Sequence, residues 1–366
     1  MLPVAPRGWR QRVIVAWASA HGIGSVTVNR EVTWGLAGCG DIAEKRVVKA
    51  IQASVRGSLA GCARRDPRRL AEFQSRHSIP KGYADYREML GDPELSAVYL
   101  ATPVWLHGSQ TIEAAENGKH VLCEKPMAMN PRECRRMIDA CRGNGVKLGV
   151  AYYRRFYPVV LKMKELLGQG AIGRPILARS TLVEHARLNE GGRPGWRFVR
   201  NQGGGGLLMD MASHRLDVLA MLFGPPESVS AFTDTRVCPI EVEDTGSLLI
   251  RFAGGIHAMV FASHCVEPPR DDFESLGTEG CLRSAPLNGD CLELTCACMK
   301  TFSVPKAENV HQPLVEDFNG AILEDRSPAV PGEEGMTASL LLEAAYRSAQ
   351  SGRLVRLDRL MDGGAG

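Results

Sequence analysis

From residue 32 the chain alternates short apolar runs with amphipathic stretches, the pattern of parallel strands joined by helices. The runs predict strands over Val32–Ala37, Ser58–Ala63, Ala97–Ala101, His120–Cys123 and Lys147–Val150. Helices are predicted between them over Ile42–Ser54, Pro67–His77 and Leu106–Asn117. Asn130-Pro131-Arg132-Glu133 supplies an N-cap, an N1 proline and an N3 glutamate, so a further helix runs from Pro131 to about Asn144. Beyond about residue 152 the texture changes. A helix over Tyr157–Gly168 precedes a long strand at Pro175–Val183, and a helix over Gly206–Phe223 precedes β-like runs at Ser228–Val237, Thr245–Phe252 and Ile256–His264. Consecutive strands without intervening helices indicate an antiparallel or mixed sheet, hence an α+β second domain. A last amphipathic helix is predicted over Glu334–Gly352.

Composition narrows the class. At 366 residues and 44% hydrophobic, the chain can build two cores. A net charge of +3 with scattered arginines and no dense basic run gives no footprint for nucleic acid. No apolar run reaches the roughly 20 residues that span a membrane. Eleven cysteines lack regular spacing, and Cys296-Ala-Cys298 lacks the gap of zinc knuckles, so they read as small apolar residues of a reduced, cytoplasmic protein. No His, Cys or carboxylate cluster has metal-ligand spacing. In residues 1–31, Arg7, Arg10 and Arg12 precede the short apolar run Val13–Ala20. This is expected to be a poorly ordered extension, with export as the alternative.

The chemistry begins at Gly38-Cys39-Gly40-Asp41-Ile42-Ala43, which fits Gly-x-Gly-x-x-Gly/Ala between a strand and a helix. Such a loop makes a tight turn, admits a pyrophosphate to the backbone and presents helix N–H groups to it. The second strand runs into Arg64-Arg65-Asp66-Pro67-Arg68. Arg64, Arg65 and Arg68 offer forks for a ribose 2′-phosphate, and Asp66 reads as a helix N-cap. NADP(H) is therefore favoured over NAD(H). Thr102-Pro103 follows a strand end and should lie over the cofactor, with His107 in a supporting role. Glu124-Lys125-Pro126 ends another apolar strand on the same sheet edge, where open α/β sheets bind ligands. Gly203–Gly206 precede Asp210, His214 and Asp217, whose i, i+4, i+7 spacing puts all three on one helical face. Leu208, Met211, Ala212 and Leu219 should face the core, and the glycines let backbone approach a ligand or the other domain.

Together, Gly38-x-Gly40-x-x-Ala43, Thr102-Pro103-x-x-Leu106-His107, Gly118–Pro126 with its Glu124-Lys125-Pro126, and Gly204–Gly206 followed by Asp210 and His214 resemble the Gfo/Idh/MocA oxidoreductase family over about residues 32–350. Gly173-Arg174-Pro175-Ile176 and Gly195-Trp196-Arg197 are most similar to its anhydrofructose reductase and sugar dehydrogenase branch.

The resemblance implies a Rossmann domain over 32–152. It also implies a substrate-binding and oligomerisation domain over 153–355, whose open, mostly antiparallel sheet forms a dimer or tetramer interface. It implies hydride transfer between nicotinamide and a hydroxyl or ketone carbon of a sugar, anhydrosugar or polyol. Lys125 would be the proton donor or acceptor, His214 would sit beside the reacting carbon, and Asp210 would hold a substrate hydroxyl. Trp196 would cover the cofactor, with Arg197 near its phosphate or carboxamide. Two positions depart from the family pattern. Ala151 replaces the usual asparagine after the sixth strand, ahead of Tyr152-Tyr153-Arg154-Arg155-Phe156, and His311 stands where a tyrosine is common. Two other readings compete: a closed redox cycle during glycosidic cleavage with tightly bound NAD, and a non-catalytic dinucleotide sensor. Arg64 and Arg65 argue against the first, and the intact Lys125, Asp210 and His214 set against the second.

Overall fold

Six short strands, most of them buried on both faces, form the first sheet of the computed structural model, which describes residues 31–185 and 195–361. Apart from Glu31, the expected N-terminal extension lies outside the described residues. The strands are β1 (Val32–Ala37), β2 (Gly57–Ala63), β3 (Lys81–Tyr83), β4 (Ala97–Leu100), β5 (His120–Cys123) and β6 (Leu148–Val150). Their order is β3-β2-β1-β4-β5-β6, all parallel, the doubly wound order with its ligand crevice at the strands' carboxyl ends.

Local chemistry sets the helix starts. Asp66 accepts from the Arg69 N–H at 3.1 Å and Pro67 opens the helix Pro67–His77. Asn130 accepts from the Glu133 N–H at 2.9 Å, and Glu133 reaches back to the Met129 N–H at 3.3 Å, a capping box shifted by one residue. The expected helix over Ile42–Ser54 begins as a π-turn over Ala43–Val47 and becomes α-helical at Val48–Gln52. The short strand β3 and the helix Tyr86–Gly91 carry no clear periodic signal and were not predicted.

The second sheet has nine strands in the order β14-β13-β12-β11-β7-β10-β9-β8-β15. Here β7 is Pro175–His185, β8 Pro226–Asp234, β9 Thr245–Phe252, β10 His257–Ser263 and β11 Cys265–Gly277. The remaining strands are β12 (Cys281–Ser284), β13 (Cys291–Thr295), β14 (Met299–Ser303) and β15 (Val355–Arg356), of which β14 and β15 form the two edges. Only β7 and β10 run parallel; every other neighbouring pair is antiparallel. The helices Ser213–Phe223 and Gly332–Ser351 cover one face, burying Leu216, Leu219, Leu341 and Ala345 with Val229, Ile250 and Val260.

The helix Gln312–Leu323, also unpredicted, returns to the first sheet. Its Leu314, Val315 and Phe318 join Val32, Trp34 and Leu36 in one apolar cluster. Fully buried Trp34 donates its indole N–H to Asn319 Oδ1 at 3.0 Å, which satisfies a donor that burial would otherwise leave costly. All eleven thiols are free. The fold brings together one group that sequence spacing does not show: the ligand atoms of Cys238, Asp244 and Cys265 lie within 4.8 Å of one another. The Asp244 carboxylate accepts from the N–H groups of Arg236, Val237 and Cys238 at 2.8–3.0 Å, so it caps this loop. Among the described residues no helix is long and apolar enough to cross a membrane.

Candidate active site

The glycine-rich turn follows β1. Gly38 has φ +92°, and a Cβ there would lie 2.6 Å from the Ala101 main chain, so only glycine fits. A Cβ on Gly40 would meet nothing within 4 Å. The loop is thus tight against the sheet and open on its other side, the shape a pyrophosphate needs. Cys39 is buried, with its thiol directed at the Ala63 carbonyl, 3.6 Å away. Exposed Asp41 pairs with Lys45 at 2.9 Å and, with Ile42, lines the cleft above the loop.

The three arginines after β2 do different things. Arg64 donates to the Cys39 carbonyl at 2.7 Å, tying the end of β2 to the glycine loop. Arg68 is taken by Glu72, at 3.2 Å on the same helix, and does not stand with the other two. Exposed Arg65 makes no ion pair among the described residues. A cavity of about 200 Å³ beside them is lined by Arg64, Arg69, Arg76, Glu44 and Glu72.

Across the crevice, Thr102 donates to Gln110 Oε1 at 2.6 Å, and Pro103 immediately precedes the helix Val104–Glu116. His107 is buried and its ring nitrogens contact the carbonyls of Pro126 (3.0 Å) and Thr102 (2.9 Å). It bridges two loops of the cleft; burial lowers its pKa, while the two carbonyls act in the opposite direction. Glu124 is buried, accepts from Tyr99 Oη at 2.8 Å, and lies 3.5 Å from His311 Nε2. Burial alone would raise its pKa, but His311, Lys125 and Tyr99 outweigh that and lower it. His311 is itself buried, its ring 4.2 Å from that of Tyr153. Ala151 is fully buried and donates its N–H to the Cys123 carbonyl at 2.8 Å.

Lys125, at the end of β5, crosses the cleft to Asp210. Its ammonium lies 3.0 Å from Asp210 Oδ1 and also donates to the Asp210 carbonyl. Arg197 Nε is 3.5 Å from the same carboxylate oxygen, and the half-exposed arginine lines the cleft beside it. Burial would raise the Asp210 pKa; the two cations outweigh it and keep the group ionised. The Arg197 guanidinium sits 4.6 Å from the Trp196 ring, which meets Trp105 edge-on at 5.7 Å at the rim. His214 is buried, Tyr153 packs edge-on against it at 4.9 Å, and its Nδ1 has no partner. Burial, then the charges of Arg154 and Lys125, hold its pKa well below the usual range, so the ring is neutral near pH 7.

One expectation is corrected here. Asp217 does not share the cleft with Asp210 and His214: it is buried on Arg155, with contacts of 2.7, 2.9 and 3.0 Å. The reason is the π-turn Leu208–Ala212, which shifts the phase of the helix between Asp210 and Asp217. Met211 packs against the core as expected and also lines the cleft. The glycine run lines the cleft through Gly203 and Gly205, a Cβ on Gly204 would lie 3.3 Å from Met129 Sδ of the first domain, and the run is also packed tightly against its own domain. A Cβ on Gly206 would lie 2.1 Å from the Glu243 carbonyl, and one on Gly205 2.0 Å from Tyr346 Oη. The Glu243 carboxylate accepts from the N–H groups of Gly206 (2.9 Å) and Leu208 (3.0 Å) and thereby caps the π-turn that carries Asp210. No local sequence signal marks Glu243 for that role.

Lys125, Asp210, His214, Trp196, Arg197 and the glycine loop thus line one cleft of about 170 Å³. The two-domain fold is matched by known proteins. Residues 32–152 match the family model of the oxidoreductase family with an NAD-binding Rossmann fold, and residues 160–283 match the GFO/IDH/MocA C-terminal domain. The chain is 31% identical to 1,5-anhydro-D-fructose reductase of Ensifer adhaerens, over 89% of this chain and 98% of that one. It is 30% identical to D-xylose 1-dehydrogenase (NADP(+)) 2 of Haloferax volcanii, over 89% and 99%. A solved levoglucosan dehydrogenase in complex with NADH and levoglucosan superposes with a TM-score of 0.84 at 26% identity, covering 90% of this chain and all of that one. Two matched domains and full-length relatives settle the lineage: this chain belongs to the GFO/IDH/MocA family of oxidoreductases.

Proposed function

We propose that this chain transfers hydride between a nicotinamide dinucleotide and a hydroxyl or ketone carbon of a sugar, anhydrosugar or polyol. The observation that carries the reading is the Lys125–Asp210 pair at 3.0 Å beside a neutral His214 with a free Nδ1, in the crevice above the glycine loop. The names of the relatives, an anhydrofructose reductase and a xylose dehydrogenase, support the substrate class.

The open side of the loop Gly38–Ile42 would take the pyrophosphate, Thr102 and Pro103 would face it across the crevice, and Trp196 with Trp105 would wall its rim. When bound, the dinucleotide supplies the hydride donor or acceptor. Lys125 Nζ gives or takes the proton at the reacting oxygen. Asp210 holds that ammonium in place and accepts from a substrate hydroxyl, and His214 Nδ1 bonds a second one. Residues 32–152 are then the cofactor-binding part and 153–355 the substrate-binding part. A screen of pyranoses, anhydrosugars, inositols and keto-sugars with both cofactors, followed by nicotinamide absorbance, tests the reading. Absence of turnover with every substrate and both cofactors would refute it.

NADP(H) is the proposed cofactor, with Arg64, Arg65 and Arg68 as candidates for its 2′-phosphate; Arg64 also holds the Cys39 carbonyl and Arg68 pairs with Glu72, whereas Arg65 makes no ion pair among the described residues. Charge-assisted bonds to phosphate contribute about 1.5–3 kcal/mol. Arg65→Ser should therefore raise KM for NADP(H) roughly 10- to 100-fold and change KM for NAD(H) little. Equal changes for both cofactors would remove Arg65 from that role. The free thiols suit a reducing compartment, so the cytoplasm is the proposed location.

The outer face of the second sheet is proposed to join two or four copies. Leu249 and Met259 pair across β9 and β10, Leu177 and Leu276 pair across β7 and β11, and Phe261 continues the row, all at least one-third exposed on the same face. A contiguous apolar patch on a sheet suits a self-complementary interface. The double variant L249D/F261D should elute and scatter light as a single chain where the wild type gives a dimer or tetramer. A monomeric wild type would end this proposal.

A further inference from the structure

The cleft holds a buried guanidinium that pairs with no carboxylate among the described residues. Arg154 lies in the turn Tyr153–Phe156 after β6, lines the cleft with Lys125 and His214, and is only 6% exposed. Its Nε donates to Asn288 Oδ1 at 2.9 Å, and its guanidinium carbon stands 5.2 Å from the Tyr153 ring centre. Those contacts fix the plane of the fork and use one of its five donors. Nη1 is buried and has no partner. Among the described residues no carboxylate pairs with Arg154, because each nearby acid is already held. Asp210 is bound by Lys125, Asp217 by Arg155, Asp271 by Arg215 and the Asn288 N–H, and Glu184 by His264 at 3.4 Å. Its neighbour in sequence, Arg155, shows the contrast: it is equally buried and fully paired.

A buried guanidinium without a counter-ion is costly, and proteins keep one where a ligand completes it. A neutral sugar would leave the charge standing even if its hydroxyls filled the donors. Lys125 and Arg197 share Asp210, Glu124 is held by Tyr99 and His311, and Asp41 by Lys45, so no carboxylate of the cleft lining is left for Arg154. The free edge of a planar fork matches the two oxygens of a carboxylate. We propose that Arg154 receives the carboxylate of the substrate, so that the preferred substrates are sugar acids. This rests on the oxidoreductase reading above and adds to it the charge of the molecule that enters.

The test compares matched pairs on the full chain, glucose with glucuronate and galactose with galacturonate, together with glucose 6-phosphate, using either cofactor. In wild type the acid of each pair should show at least a tenfold higher kcat/KM, carried mainly by KM. Arg154→Gln should lower the acid-to-neutral ratio at least tenfold, and Arg154→Lys should keep part of it. A folded Arg154→Gln is verified by its melting temperature. Equal or better turnover of the neutral partner, preference for the phosphate, or an equal loss for both partners in Arg154→Gln would overturn the proposal while leaving the oxidoreductase reading intact. If no compound is turned over, that reading fails, and calorimetry decides this one. Glucuronate binding that exceeds glucose binding in wild type but not in Arg154→Gln supports it, and no difference overturns it.

Discussion

Lys125→Met is expected to lower kcat by roughly 10²–10⁴-fold on whichever sugar the wild type turns over best, the range typical for loss of a positioned acid–base group. Methionine keeps the length and apolar stem of lysine but cannot exchange a proton. Lys125 is 12% exposed at its side chain and is held by two contacts to Asp210, which fix its ammonium in the cleft. Arg197 stays 3.5 Å from Asp210 and leaves the carboxylate partly compensated, so the variant should fold. Dinucleotide binding, followed by quenching of protein fluorescence, should change little because the glycine loop is untouched. Lys125→Arg keeps the charge but not a proton that can be given up near neutral pH, and should be nearly as inactive. Activity within tenfold of wild type in both variants would show that the proton moves elsewhere.

The largest effect on stability should come from Asp217→Ala, at about 3–5 kcal/mol, the usual cost of leaving one member of a buried ion pair alone. Asp217 is 1% and Arg155 7% exposed at their side chains, and Arg155 also bonds Glu334. The cluster joins the turn after β6, the helix Ser213–Phe223 and the helix Gly332–Ser351. The contrasting variant is Arg68→Ala. Its partner Glu72 is half-exposed, and Arg68 itself is 90% exposed, so water and salt screen the pair. That change should cost less than about 0.5 kcal/mol. Urea midpoints of the three proteins at one pH measure both. A loss below about 1 kcal/mol in Asp217→Ala would mean that the surrounding core relaxes to hydrate Arg155.

The first sheet is legible in the chain to within about a residue at most strand ends, because each buried parallel strand is a continuous apolar run between helical stretches. The second sheet is less so. The strand β11 contains Pro268, Pro269, Arg270 and two aspartates, a composition that argues against a strand, and its ladder shifts register between Cys265 and Arg270 to accommodate them. The three-residue β3 and the helix Gln312–Leu323 are set by what packs on them, not by local pattern. Within the site, Lys125, Asp210 and His214 stand out by motif. Asp217 does not fall where helical spacing puts it, since one π-turn changes the phase. Arg154 and Arg155 are adjacent and chemically identical in the sequence, yet one closes an internal ion pair and the other faces the cleft. Only the fold separates them. The supporting role of Glu243 is invisible for a similar reason, as its partners lie 35 and 37 residues earlier.

The bond between Trp34 and Asn319 joins positions 285 residues apart. Ribosomes deliver the first strand long before the helix that covers it, so the sheet made earliest is finished last. While the rest is being synthesised, Val32, Trp34 and Leu36 have one side unshielded, and the nascent chain must wait with that apolar surface open to chaperones. A chain cut at residue 152 would keep all six strands of the first sheet yet never receive their cover. Such a fragment should be recovered in inclusion bodies or bound to chaperones, which makes the two halves of this protein partners in biogenesis.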